Sequence, residues 1–105
     1  MNNNYIIITT ACDKKEIADK MIETLLRKRL VSCCQLTNIY SSYWWNGKIE
    51  NHPEYFIQMK TKKKLYKEVE KEILKIHDYE ICEILSYDIT DGNEEFLKWI
   101  EDETK

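Results

Sequence analysis

The architecture of this chain turns on Tyr40-Ser-Ser-Tyr-Trp-Trp-Asn-Gly-Lys-Ile-Glu50. Asn46-Gly47 is the strongest short hairpin signal a sequence offers, because a two-residue type I′ turn needs positive φ at both positions. Strand-like runs flank it, roughly Leu30 to Trp45 and Lys48 to Lys60. About fifteen residues at ~3.3 Å each reach some 50 Å. A compact domain of this length has a radius of gyration near 13 Å, roughly, and a diameter near 33 Å, roughly. The arm is therefore expected to outgrow its own domain. It carries Tyr40, Tyr43, Trp44 and Trp45, which are costly to leave in water. A second copy of the chain covering it is the simplest expectation.

With Asn46-Gly47 as the turn, Trp44 faces Ile49, Tyr40 faces Pro53, Leu36 faces Ile57 and Cys34 faces Met59. That side reads as core, and the side with Trp45, Tyr43 and Ile39 reads as subunit contact. Near the tip both sides are expected to touch a neighbour. A bulge at Asn51-His52-Pro53 would alter this register, since Pro cannot donate to a central ladder.

Outward from the hairpin, Tyr5 to Thr10 is a continuous apolar run of strand length. Asp13 and Glu16 have the spacing of a capping box ahead of a helix striped with Ile17, Ala18, Met21, Ile22, Leu25 and Leu26. Thr61 offers a second N-cap before a helix with Leu65, Val69, Ile73 and Ile76 on one face. Ile81 to Thr90 reads as a strand, and Asn93 caps a short helix with Phe96, Leu97, Trp99 and Ile100. The run Tyr5-Ile-Ile-Ile-Thr-Thr is echoed by Tyr55-Phe-Ile-Gln-Met-Lys-Thr61, each followed by a helix and a strand. Two such halves predict an α+β, ferredoxin-like βαββαβ sandwich with a long β-hairpin and an extra C-terminal helix.

All 105 residues are expected to form a single domain, 1–105, large enough for a core without staples. A formal net charge of −3 argues against broad binding to nucleic acid or anionic membrane. No basic leader precedes the first apolar run, and no stretch has transmembrane length, so a cytoplasmic location is expected. Cys12, Cys33, Cys34 and Cys82 have no zinc-ribbon or CxxC spacing and read as small hydrophobes in a reducing compartment.

Several segments, in order, resemble the CutA family of divalent-cation tolerance proteins. They are Thr9-Thr10-Ala11, Arg29-Leu-Val-Ser-Cys-Cys-Gln-Leu36, Tyr43-Trp-Trp-Asn-Gly-Lys-Ile-Glu50, Lys60-Thr61, His77-Asp-Tyr-Glu-Ile-Cys-Glu-Ile84 and Gly92-Asn-Glu-Glu-Phe-Leu-Lys-Trp99. The resemblance implies a tight homotrimer like that of the PII signalling proteins, with the hairpin packed between subunits. It implies a role in copper and other divalent-metal tolerance, with no settled reaction. Tyr40, Tyr43, Trp44, Trp45 and Trp99 are the expected trimer contacts. The family's usual single cysteine matches Cys33. His77, Tyr79, Glu80 and Glu83 match its His-Pro-Tyr-Glu-x-Pro-Glu segment, with Asp78 and Cys82 in place of both prolines. That turn is expected to be less rigid than in the family.

His77, Glu80, Glu83 and Cys33 are the candidate metal set, suited to Zn or Cu ions, with no obligatory cofactor. The competing structural reading has His77 close a helix C-terminus. His52 beside Pro53 reads as surface or interface. Lys60, Lys62 and Lys63, with Lys64, crowd a helix start and form a candidate anion site, or a solvated basic turn. An RNA-recognition module would need an RNP1-like strand, which Tyr55-Phe-Ile-Gln-Met is not. An acylphosphatase would need an anion loop where Ala11-Cys12-Asp13 stands. No hydrolase or phosphate-loop motif occurs, so no enzyme is expected. Two alternatives to a metal-binding trimer stay open: a PII-like sensor of an anionic small molecule, and a structural trimer scaffold for partner proteins.

Overall fold

The computed structural model describes residues 4–105; residues 1–3, on which the expectation of no basic leader partly rests, lie outside the described residues. The elements are β1 (Tyr5–Cys12), α1 (Lys15–Arg27), β2 (Cys33–Trp45), β3 (Lys48–Lys62), α2 (Tyr66–Ile76), β4 (Ile84–Asp88) and α3 (Glu94–Glu103). A short 3-10 turn, Lys63–Leu65, leads into α2. The four strands form one sheet in the order β2-β3-β1-β4, with every neighbouring pair antiparallel. Two interleaved βαβ halves produce this order, as the internal repeat predicts.

One face of the sheet meets α1 and α2. Ile6 and Ile8 of β1, Ile57 and Met59 of β3, Met21 and Leu25 of α1 and Val69 and Ile73 of α2 share one fully buried cluster. Each such side chain contributes roughly 1.5–3 kcal/mol on leaving water. The helices form because their apolar residues fall three, four and seven apart, as Ala18, Met21 and Leu25 do. Helix α1 ends in a Schellman arrangement: Leu30 N–H donates to Leu25 O, and Arg29 N–H to Leu26 O. Arg29 takes the left-handed position (φ 60°) where glycine is usual, and its guanidinium is held by Glu103 at 2.7 Å.

Three local expectations are corrected. The residue ahead of α1 is Lys14, with no side-chain cap, so Asp13 and Glu16 form no capping box. Lys14 instead turns its ammonium to Asp78. Thr61 lies inside β3, one residue before its end, and donates its hydroxyl to Leu30 O at 2.6 Å, so it caps no helix. Asn93 precedes α3 without a side-chain cap bond. The last strand is also shorter than Ile81–Thr90: only Ile84–Asp88 pairs with β1, against Thr10 to Ile6.

The hairpin register is the one the turn dictates, with Trp44 opposite Ile49, Tyr40 opposite Pro53, Leu36 opposite Ile57 and Cys34 opposite Met59. Asn46 and Gly47 both have positive φ, 51° and 76°. Pairing runs unbroken past Pro53, so the bulge is absent. Pro53 fits because β1 has ended there: its last rung is Cys12 with Tyr55. From Ile39–Glu54 outwards, seven rungs of the hairpin have no third strand. The molecule is accordingly 44 Å long and 27 Å wide.

The division of the two sides holds at the root and fails on the arm. Cys34 and Leu36 pack on the core, but Tyr40 is 70% and Trp44 72% exposed. The helices do not extend beneath them. Helix α3 closes the opposite end of the sheet, where Ile100 is buried and Tyr5 donates its hydroxyl to Glu101 at 2.7 Å. Phe96 and Trp99 stack on one another there, 5.4 Å apart, and stay part-exposed.

Candidate functional site

Where β1 stops and the hairpin continues, a notch opens. The segment 77–83, running from α2 towards β4, crosses that end of β1 and forms the far wall. The resulting cleft has a volume of about 630 Å³. Its arm-side wall carries Tyr43, Trp45, His52 and Glu54, which alternation puts on one face of the hairpin. Across from them lie Tyr79, Glu80, Ile81, Cys82 and Glu83, with Asp13 at the end of β1.

A chain of hydrogen bonds builds the floor. His77 is buried; its Nε2–H donates to Ala11 O at 2.6 Å, and its Nδ1 accepts the Tyr79 N–H at 3.2 Å. Both ring nitrogens are thus spent on backbone, which makes the ring a neutral strut between β1 and the 77–83 segment. Tyr79 then donates its hydroxyl to Glu54 Oε2 at 2.6 Å. Burial and the Glu54 carboxylate push the Tyr79 phenol well above its ordinary value, so it stays a donor. On the arm, Tyr43 donates its hydroxyl to His52 Nε2 at 2.5 Å, while His52 Nδ1–H faces Pro53 O at 3.2 Å. Burial pushes the Cys82 thiol up from its usual range, which makes it a poor nucleophile.

Of the candidate metal set, Glu80 and Glu83 line this cleft, and His77 lies beneath it with no free nitrogen. Cys33 is elsewhere. It pairs with Lys60, four residues along β3 from the Phe56 that faces Ala11, roughly 13 Å away at strand rise. Among the described residues no three His, Cys, Asp or Glu side chains converge as a metal centre. The cysteines behave largely as small hydrophobes: Cys12 sits in the core, Cys34 packs half-buried against it, and burial pushes the Cys34 thiol up to about 12. His52 and Glu54 reach the cleft too. Alternation about the Asn46-Gly47 turn puts both on the face of Tyr43 and Trp45, so that signal was available.

The candidate anion lysines separate. Lys60 donates to Gln35 Oε1 at 2.6 Å. Lys62, buried, donates to the carbonyls of Thr104 and Lys105 and pairs with Glu101 at 3.2 Å. Lys63 pairs with Asp88 at 3.1 Å. Lys62 and Lys63 do line a shallow cleft with Asn4, Lys64 and Glu101, but nearby carboxylates already answer their charge.

A four-stranded antiparallel sheet in this order, with two helices on one face and an overlong arm, defines a ferredoxin-like α+β class. Within that class the sequence match is specific. The family model for the CutA1 divalent ion tolerance protein matches residues 6–103, and the chain belongs to the CutA family. It is 39% identical over 100 residues to the divalent-cation tolerance protein CutA of Pyrococcus horikoshii, covering 95% of this chain and 98% of the relative. The corresponding protein of Archaeoglobus fulgidus is 35% identical over 100 residues, covering 95% and 96%. The crystal structure of CutA1 from Pyrococcus horikoshii superposes with a TM-score of 0.90 at 38% identity, over 95% of this chain and 98% of that one. The structure described as the periplasmic divalent cation tolerance protein CutA from Archaeoglobus fulgidus gives 0.93 at 32% identity, over 96% and 99%.

Proposed function

We propose that this divalent-cation tolerance protein acts as a non-catalytic homotrimer that binds divalent metal ions, copper or zinc, at its subunit junctions. The observation that carries the trimer is the arm: seven rungs with no third strand, bearing Tyr40, Trp44 and Ile49 at 70%, 72% and 60% exposure. Water is a poor neighbour for such a patch, and a second copy supplies the missing surface. Light scattering at micromolar concentration is expected to give three chains per particle; a monomer would sink the reading.

Metal contact in this reading falls on Glu80 and Glu83 at the cleft rim, where both are exposed, with a neighbouring subunit completing the donor set. His77 is left as a strut and Cys33 as a sheet residue. Calorimetric titration with Cu²⁺ and Zn²⁺ tests it: binding that the Glu80→Gln/Glu83→Gln double variant leaves unchanged rules out this placement. The chain is expected in the cytoplasm, since all four cysteines are free and none has a disulfide partner among the described residues. No helix of the described residues is long and apolar enough to cross a membrane.

A further inference from the structure

Glu54 is the unexplained group of the cleft. It is 7% exposed, and among the described residues its carboxylate accepts one hydrogen bond, from the neutral phenol of Tyr79. No lysine, arginine or histidine pairs with it among the described residues, and Tyr79 cannot supply charge. A carboxylate held that deeply is costly unless a cation answers it. Its surroundings deepen the need. Asp13, Glu80 and Glu83 line the same cleft, and among the described residues no lysine or arginine stands in its wall. The ammonium of Lys14, 4.0 Å from Asp13, is committed to Asp78.

The rest of the lining says what kind of cation. A metal ion wants three or more donors converging on a point, and the described residues offer no such group. They offer rings: Tyr43, Trp44, Trp45 and Tyr79. Aromatic faces attract ammonium and guanidinium groups and accept an aliphatic stem. The volume of about 630 Å³ suits a small organic ligand.

We propose that the cleft between the arm and the 79–83 segment binds an ammonium or guanidinium group, seated on the Glu54 carboxylate and flanked by Tyr43 and Trp45. The group arrives either on a free small amine or on a lysine or arginine of a second copy of this chain. The assignment does not rest on divalent-metal binding at Glu80 and Glu83.

The test titrates butylguanidine and butylamine into the full chain by calorimetry, with EDTA present, and follows assembly by sedimentation. Glu54→Gln keeps an acceptor for the Tyr79 hydroxyl and removes only the charge; Tyr79→Phe removes the hydrogen bond and keeps the charge. For a free ligand, the unaltered protein and Tyr79→Phe bind the probes, and Glu54→Gln binds at least about tenfold more weakly, as expected when one side of a buried charge pair is lost. For a cation from a second copy, the probes do not bind. Glu54→Gln then dissociates at protein concentrations about tenfold higher than the other two. Either pattern supports the site. Probe binding and assembly that Glu54→Gln leaves unchanged overturn it, and so does an equal loss in Tyr79→Phe.

Discussion

The root and the arm of the hairpin are one ladder in one register, yet they have opposite fates. At the root, Cys34 and Leu36 face the buried Met59 and Ile57 and pack, half-buried, against the core formed with α1 and α2. On the arm, the same side of the same strands carries Tyr40, Trp44 and Ile49 into solvent. Composition does not separate them, since the arm is the more aromatic of the two. What differs is the neighbour: β1 ends at Cys12, and with it ends the layer that buries that face. A strand's burial is a property of what lies across it, and a sequence describes only one side of that contact.

The largest way to sharpen this contrast is at the root. Ile57 is fully buried, so Ile57→Ala is expected to cost about 2–5 kcal/mol in denaturant unfolding. A loss under about 1 kcal/mol would mean the root is not core. Trp44→Ala on the arm is expected to cost less, about 2–3 kcal/mol, and only where copies associate. Its cost should shrink on dilution, because binding between copies stabilises by mass action. A Trp44→Ala defect identical at every protein concentration would break the contrast, for the arm would then be part of the monomer's own stability. Between them, the turn has its own cost. Gly47 sits at φ 76°, and a Cβ added there would meet nothing within 4 Å, so Gly47→Ala suffers backbone strain alone, about 1 kcal/mol. An unchanged melting temperature would show that the arm's tip does not govern its register.

Much of this was legible in the chain, for identifiable reasons. Asn46-Gly47 set the pairing of every residue from Cys33 to Lys60, because a two-residue turn leaves no choice of register. The repeat of Tyr5–Thr10 in Tyr55–Thr61 foretold the interleaved sheet, in which those two segments pair directly. Asp13 and Thr61 have capping chemistry but lie one or more residues outside the helices, where tertiary contacts, Lys14 to Asp78 and Thr61 to Leu30, hold the chain instead. The site was half legible. Glu80 and Glu83 share a sequence segment, so their joint arrival in the cleft follows from chain continuity. Glu54 comes from another strand, and only the early end of β1 exposes its contact with Tyr79. His77 has a ligand's chemistry, but its two backbone bonds depend on the position of Ala11, which no local pattern announces.

The smallest expected effect lies at the end of β3 farthest from the arm, and it tests whether the root is fastened by α3 as well as by the core. Glu101 accepts the Tyr5 hydroxyl at 2.7 Å and pairs with Lys62 at 3.2 Å. The Tyr5 hydrogen bond first, and Lys62 second, hold its carboxyl below the ordinary value of 4.5. A group with a depressed folded pKa stabilises above its unfolded pKa, and that contribution drains away as pH falls through the folded value. Tyr5 works in the opposite sense. Its bond to Glu101, then burial, raise its phenol above 10.0, so its contribution is present below that pH and is lost as pH rises through the folded value. One contact thus tilts both limbs of the stability profile. Glu101→Gln is expected to flatten the acid limb below about pH 4.5 and to weaken the alkaline one, with little change at pH 7, where half-exposed Glu101 is screened by water. Parallel pH profiles for the two proteins would show that α3 is held by Ile100 packing and that this ionic latch adds nothing to the root.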